Sequence, residues 1–420
     1  VTSSNVSRAA SRAKPRPVAA ISAALIIALL LVGGYTATVA ATEVAAADVT
    51  AAGDTELTIT ADTAAAQAVV DAQPLPTAVG WLHDEAVFTN DDTAYPLASI
   101  SKLVTVLVAL EAQPLAPGED GPTYTWTDAD VALQNHYISL DGVAYPIPAG
   151  TEITLRQMLT LIFLPSANDF ASAYALQVFG TNEDFLAAVA DWQARNGIES
   201  LTFVEPTGMD EGNQANAADL VRIARLALAN PTVTQFTNLQ SAELPWGIGV
   251  IENTNPLLAE LPNMLGLKTG RSSSAGFNLI AAQETDAAGR KLVKISVTMG
   301  RGSVEERASS GRDMLAALEP LPQLVTLVEE GEVLGSVTTF TGEEVSVISS
   351  GSATAVLTPG ESATRTLELS QPAPGAAGQA AGVIMVDSPT GSEEIAVVTA
   401  AAIEEATFWW RFTHPLELLP

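Results

Sequence analysis

From Val18 to about Ala41 the chain carries no charged residue. An apolar run of this kind needs roughly 20 residues to cross a bilayer as a helix, the one single-segment form that satisfies all of its backbone groups internally. Arg8, Arg12, Lys14 and Arg16 precede the run, and no basic residue follows it before Lys102. That asymmetry predicts a cytoplasmic basic N-terminus over 1–17, a transmembrane segment over 18–41 and an exported remainder. A long signal peptide cut near Thr38 to Ala41 fits the same order, but the length of the run favours an uncleaved anchor. The expected location is therefore the outer side of the cell membrane, or the exterior if the segment is cleaved.

The charge and residue inventory narrows the chemistry. The 48 acidic residues against 19 basic ones give a net charge of −29, which excludes nucleic acid as the main partner because phosphate binding needs a basic face. The absence of cysteine removes disulfides, thiolate nucleophiles, Fe–S clusters and cysteine zinc sites together. His83, His136 and His414 are the only histidines, and no H-E-x-x-H, G-x-S-x-G, Walker or G-x-G-x-x-G pattern occurs. No cofactor or metal is expected.

Residues 42–75, rich in Ala, Thr and Asp, read as a linker. Residues 76–319 alternate strand-like and helix-like segments. Beyond Pro320 the helical periodicity fades into Val/Thr-rich runs at Val333 to Phe340, Val345 to Ile348 and Ile395 to Val398. Turn clusters at Thr341-Gly342, Pro359-Gly360 and Pro372 through Gly378 separate them, predicting a small all-β domain over 320–405. The tail, 406–420, holds Phe408-Trp409-Trp410-Arg411-Phe412; it either packs back on its own domain or rests at a membrane interface.

Three short motifs carry candidate chemistry. Ser99-Ile100-Ser101-Lys102 opens a stretch with helical spacing at Ile100, Leu103, Val104, Leu107 and Leu110, with Pro96 placed to start that helix. Residues three apart share a helix face, so the Lys102 amine comes within reach of the Ser99 hydroxyl. A serine is a poor nucleophile until a base takes its proton, and a lysine made neutral by burial can be that base. A second S-x-x-K, Ser11-Arg12-Ala13-Lys14, is a decoy on the cytoplasmic side. Only five lysines occur in the chain, so one placed in an apolar helix asks for a reason. Ser166-Ala167-Asn168 sits where Pro165 stops one helical run and Asp169 begins another; taken alone it reads as an N-cap. Lys268-Thr269-Gly270 lies on a strand after Leu265-Gly266-Leu267. There a glycine lets a substrate backbone approach closely, and the lysine and threonine add a charge and a hydroxyl for a carboxylate.

The order S-x-x-K, S-x-N, K-T-G is the pattern of penicillin-recognising serine enzymes. The flanks resemble the D-alanyl-D-alanine carboxypeptidases of the low-molecular-mass penicillin-binding protein type (peptidase family S11). Ala98-Ser99-Ile100-Ser101-Lys102-Leu103 is similar to that family's A-S-x-T-K-x, with Ser101 in place of Thr. Leu164-Pro165-Ser166-Ala167-Asn168-Asp169 is similar to its S-x-N-D block. Phe203-Val204-Glu205-Pro206-Thr207-Gly208-Met209 resembles F-x-N-P-x-G-L, with Glu205 departing from Asn. Asn253-Thr254-Asn255, Leu267 to Gly270 and Ala275-Gly276 complete the likeness, which covers roughly 76–318.

The resemblance implies an α/β (α+β) fold: a β-lactamase/transpeptidase-like domain with an antiparallel sheet and a helical subdomain, followed by a small β domain. It implies Ser99 as nucleophile, Lys102 as base and Ser166 as relay toward the leaving amine of a peptidoglycan stem peptide ending in D-Ala-D-Ala. Asn168 would hold the substrate amide. Lys268, Thr269 and Gly270 would receive the free carboxylate end, with Arg307 as a further carboxylate ligand. The backbone N–H groups of Ser99 and Arg271 would form the oxyanion hole, and β-lactams would be covalent inhibitors. A class A-like β-lactamase would share the three motifs but needs a glutamate in E-x-x-x-N, and Glu199 and Glu205 have the wrong neighbours. A catalytically inactive wall-binding module predicts a lesion in a motif. An adhesin explains the acidity but not the motifs.

Overall fold

The computed structural model describes residues 17–42, 44 and 48–418. The basic stretch before Pro17, with Arg8, Arg12, Lys14, Arg16 and the decoy serine Ser11, lies outside the described residues. Pro17–Ala41 is a single helix whose Ile21–Ala41 portion has a mean hydropathy of 2.1. Its Val18, Ile21, Leu25, Ile27 and Leu30 side chains are more than half exposed, an apolar surface of the kind that marks a membrane or protein interface. Packing occurs at its C-terminal end. There Tyr35 meets Phe412 edge-to-face at 5.0 Å, its hydroxyl donates to the Phe412 carbonyl at 2.6 Å, and Arg411 donates to the Thr42 carbonyl at 3.3 Å. The aromatic tail thus forms a short helix, Phe408–Thr413, capped by the Thr407 hydroxyl. It packs both on the long helix and, through Trp410 against Phe340, on the β-rich domain.

The central sheet is five-stranded and wholly antiparallel, in the order Met264–Ser272, Gly276–Ala287, Arg290–Arg301, Thr77–Trp81, Val87–Thr89. Side chains on a strand alternate between faces, and here both faces are covered. Leu279 and Ala281 point toward Ala308 and Leu315 of the helix Val304–Leu318, while Ile280 and Ala282 join the helical core on the other side. The apolar run Leu279 to Ala282 is therefore continuous rather than alternating, as a strand buried on both faces requires. Ser101–Ala112 lies at the centre of the helical core, with every residue from Ser101 to Leu110 buried. It packs against Leu155–Phe163, Asn168–Phe179 and Asn182–Arg195.

Residues 42–75 are not a linker. Asp48–Ala51 and Glu56–Thr60 are the two outermost strands of a seven-stranded sheet, pairing with Val333–Thr338 and Ser362–Leu369. Ala64–Asp71 packs Ala66 and Val70 beneath the central sheet with Met314 and Leu318. The two strands escape a periodicity reading because they are edge strands, exposed at nearly every position. Polar cross-strand pairs, Thr58 with Thr364 and Thr60 with Ser362, both at 2.8 Å, take the place of an apolar stripe. The β-rich domain is thus built from chain on both sides of the 76–319 region. Arg290 ties the two together: it meets the Glu361 carboxylate through both terminal nitrogens, at 2.5 and 2.7 Å, and donates to the Val356 carbonyl.

Candidate active site

Ser99 lies in a 3-10 turn, Ala98–Ile100, that leads directly into Ser101–Ala112. Pro96 does not open this helix, as its spacing predicts. Tyr95–Pro96 is extended and paired with Gln214–Ala215, and the Asn278 amide donates to the Pro96 carbonyl at 3.0 Å. Those partners hold the segment out until Ala98, whose φ of +49° makes the sharp entry into the turn. Two glycines let neighbouring backbone press on this turn. A Cβ on Gly208, at φ +83°, would sit 1.8 Å from the Ala98 carbonyl oxygen, and one on Gly270 would sit 2.5 Å from that of Leu97.

Lys102, one turn after Ser99, is fully buried. Its Nζ donates to Ser99 Oγ at 2.9 Å, Asn168 Oδ1 at 2.6 Å and the Thr207 carbonyl at 2.8 Å. Burial lowers its pKa to about 7, against an upward pull from the Glu205 and Asp169 charges. The amine is thus within hydrogen-bonding reach of a hydroxyl and substantially neutral near neutral pH, which is what a general base needs.

A second lysine–serine pair stands beside the first. Ser166, at φ +71°, occupies the junction between Leu155–Phe163 and Asn168–Phe179. Lys268, from the edge strand Met264–Ser272, donates through Nζ to Ser166 Oγ at 3.0 Å and to the Thr269 carbonyl at 3.1 Å. Its pKa is driven well below the ordinary lysine value, first by burial and then by repulsion from Lys102 and Arg307. The N-cap reading of Ser166 fails: the cap residue is Ala167, with no side-chain bond, and Ser166 faces a lysine instead.

Beyond Lys268 the site becomes cationic. Thr269 Oγ1 contacts Thr254 Oγ1 at 2.6 Å, and Arg307, buried on the helix Val304–Leu318, donates to the Thr254 carbonyl at 3.1 Å. The Arg307 and Arg271 guanidiniums lie 5.8 and 5.3 Å from the centre of the Phe277 ring. Burial, and then Arg271, lower the Arg307 pKa, and its Nε has no partner among the described residues. Two guanidiniums and an amine with spare donors suit an anionic ligand group. Gly270 and Arg271 continue the same strand.

The structure therefore brings Ser99, Lys102, Ser166, Asn168, Lys268 and Thr269 together, with Arg271 and Arg307 grouped around Phe277. Sequence reasoning missed two contributors. One is the Thr207 carbonyl, a backbone group with no side-chain signature. The other is Asp169, whose buried carboxyl accepts from the Tyr145 and Phe170 amides at 3.0 Å; burial raises its pKa to about 7. Its position directly after Ser166-Ala167-Asn168 was the available signal.

Residues 87–303, just over half of the chain, match the family model described as D-alanyl-D-alanine carboxypeptidase. Among curated proteins, the D-alanyl-D-alanine carboxypeptidase DacF of Bacillus subtilis is 27% identical over 230 residues, covering 54% of this chain and 56% of DacF. The D-alanyl-D-alanine carboxypeptidase DacB2 of Mycobacterium tuberculosis is 32% identical over 234 residues, 54% of this chain and 74% of DacB2. The match thus spans little more than half the length of DacF. Among solved structures, penicillin binding protein 5 of Haemophilus influenzae superposes with a TM-score of 0.55 at 20% identity, over 79% of this chain and 97% of its own. A Streptomyces DD-transpeptidase superposes at 0.51 and 20% identity over 58% of this chain and 95% of its own. The likeness is one of fold, a mixed α/β arrangement of antiparallel sheets and helices.

Proposed function

The chain belongs to the D-alanyl-D-alanine carboxypeptidase family, and from that premise we propose that it is a serine-type D-Ala-D-Ala carboxypeptidase acting on peptidoglycan stem peptides. The observation that carries this reading is the pair formed by Ser99 Oγ and a fully buried Lys102 Nζ at 2.9 Å, with Lys102 at a pKa of about 7. Neutral Lys102 takes the Ser99 proton as Oγ attacks the carbonyl carbon between the two terminal D-alanines. The developing oxyanion is received by the backbone N–H groups of Ser99 and Arg271; removing one such donor typically costs about 10²–10³ in rate. The C–N bond then breaks, and the proton held by Lys102 passes by way of the Ser166 hydroxyl, which Lys268 orients at 3.0 Å, to the leaving amine, restoring neutral Lys102. D-Alanine departs, leaving the acyl group as an ester on Ser99, and water hydrolyses that ester to restore the hydroxyl.

Substrate contacts follow from the same group of side chains. Asn168 holds the substrate amide, while Lys268, Thr269 and Arg307 receive the terminal carboxylate; Gly270 does not make room for a substrate backbone, as its strand position suggests, but lets the Ser99 turn pack against this strand. A β-lactam places a strained amide and a carboxylate at the same positions and acylates Ser99. The region 76–319 is the catalytic unit. The exposed apolar helix Pro17–Ala41 anchors it to the cell membrane, with the catalytic unit outside.

Covalent labelling by a fluorescent penicillin tests the assignment. Labelling and D-alanine release are expected for the native protein, lost in Ser99→Ala and retained in Ser11→Ala. Labelling that survives Ser99→Ala would place the nucleophile elsewhere. A native protein that binds stem peptides without ever being labelled would be an inactive wall-binding module.

A further inference from the structure

Glu205 stands where the resembling family carries asparagine, and nothing in the scheme above uses it. Its carboxylate is saturated with donors from its own turn. One oxygen accepts from the Thr207 amide and the Thr207 hydroxyl, both at 2.7 Å. The other accepts from the Gly208 amide at 2.5 Å, from the Asp210 amide at 3.4 Å and from the Asn213 side chain at 3.3 Å. Asn213 also bridges to the Glu205 carbonyl at 2.8 Å and the Val204 amide at 2.7 Å, closing the turn.

The opposite side of this turn faces the Ser99 helix. Thr105, one turn past Lys102, donates to the Pro206 carbonyl at 2.7 Å, and Lys102 Nζ donates to the Thr207 carbonyl at 2.8 Å. Gly208 leaves no slack, since even a Cβ there would collide with the Ala98 carbonyl. One carboxylate thus sets the direction of the carbonyl that receives the Lys102 amine.

We propose that Glu205 is a positioning residue for acylation: its carboxylate folds the 205–210 turn so that the Thr207 carbonyl fixes the Lys102 amine against Ser99 Oγ. This rests on the carboxypeptidase reading of the site. Two oxygens and a full negative charge satisfy five donors here, more than the single acceptor oxygen of an asparagine can. The charge has a second effect, because it stands near a buried amine. The charged and titratable groups around Lys102 are Glu205 from this turn, Asp169 from the helix Asn168–Phe179 and Lys268 from the edge strand. Tyr137 of the helix Asp128–Ser139 also faces the two carboxylates. Glu205 and Asp169 favour the protonated amine and burial opposes it, while Lys102 in turn lowers the pKa of Lys268.

The test compares the full-length native protein with Glu205→Gln and Glu205→Asn, both of which remove the charge and leave an acceptor. Two readouts are needed: the pH profile of fluorescent-penicillin acylation, and the titration of Lys102 by NMR of protein labelled at lysine Cε. Five lysines make the second spectrum assignable. Expected are a fall in the acylation plateau of about tenfold, as misplacement of a reacting group produces, and a downward displacement of both the acid limb and the Lys102 midpoint. A role confined to folding would lower the amount of active protein and leave the plateau rate of the folded fraction at the native value. A native acylation plateau per folded molecule in both variants would overturn the proposal. Failure of the carboxypeptidase reading shows separately, as a native protein without penicillin labelling.

Discussion

If Lys102 is the base, acylation must follow its neutral fraction. Burial places its pKa at about 7, so half of the amine is free at neutral pH, about a tenth near pH 6 and about a hundredth near pH 5. A lysine with an ordinary pKa would be neutral in only about one molecule in a thousand near pH 7.5, and the rate would still be climbing at pH 9. The two cases separate cleanly in a stopped-flow measurement of fluorescent-penicillin acylation from pH 5 to 9.5. The expected profile rises about tenfold per pH unit below 7 and is flat above about 8. Replacing Lys102 with alanine should remove the limb and lower the plateau by about 10²–10⁴, the usual contribution of a positioned base. A rate independent of pH across the range, or one still rising above pH 9, would refute the assignment. So would near-native acylation in Lys102→Ala.

Three further outcomes follow from the geometry. Gly208→Ala places a Cβ 1.8 Å from the Ala98 carbonyl oxygen at a positive φ; acylation should fall by at least about 10², measured against unchanged far-ultraviolet circular dichroism. Arg307→Gln should raise KM about 10- to 100-fold for peptides with a free C-terminal carboxylate and leave C-terminally amidated peptides unaffected, as loss of a charge-assisted bond predicts; equal effects on both would remove Arg307 from the carboxylate site. The third is a linkage effect. The folded protein holds Lys102 at about 7 against 10.5 when unfolded, so between those values the unfolded state binds more protons and stability rises with pH. Relative to Lys102→Met, the native chain should gain on the order of 5 kcal/mol from pH 7 to pH 10.5 in urea unfolding, and a pH-independent difference would show that Lys102 does not titrate in that window.

Much of this site was legible because its chemistry is carried by side chains at fixed local spacing. Ser99 and Lys102 share a helix turn, so their contact follows from sequence distance alone. Ser166 and Lys268 are far apart in the chain, and their contact followed from the family resemblance rather than from any local rule. What escaped was backbone and edge. The Thr207 carbonyl leaves no trace in residue identity. Asp48–Ala51 and Glu56–Thr60 expose nearly every side chain, so no alternation marks them as strands, and their partners lie about 300 residues away. Pro96 misled because proline suits the first turn of a helix and an extended segment alike; the Asn278 amide and the Ala215 and Gln214 pairing decide for the second.

On the carboxypeptidase reading an anionic peptide must approach a chain of net charge −29, and the two are compatible because the opposing fields have different ranges. Exposed carboxylates are screened within about 8–10 Å at physiological salt, so they slow encounter more than they oppose a bound ligand. Within the site, Lys102, Lys268 and Arg307 are each at most 5% exposed and lie in a low-dielectric setting where charge acts more strongly. Their mutual repulsion helps hold Lys268 below the ordinary lysine value. A carboxylate entering beside Lys268 and Arg307 relieves that repulsion and so favours protonation of Lys268, leaving the neutral form to Lys102. On this argument substrate binding itself sorts the two amines into an anion ligand and a base, and a neutral C-terminus forfeits the sorting along with the ion pair. Acylation by an amidated peptide should therefore be slower in its chemical step as well as weaker in binding, and single-turnover kinetics showing only a binding defect would count against the coupling.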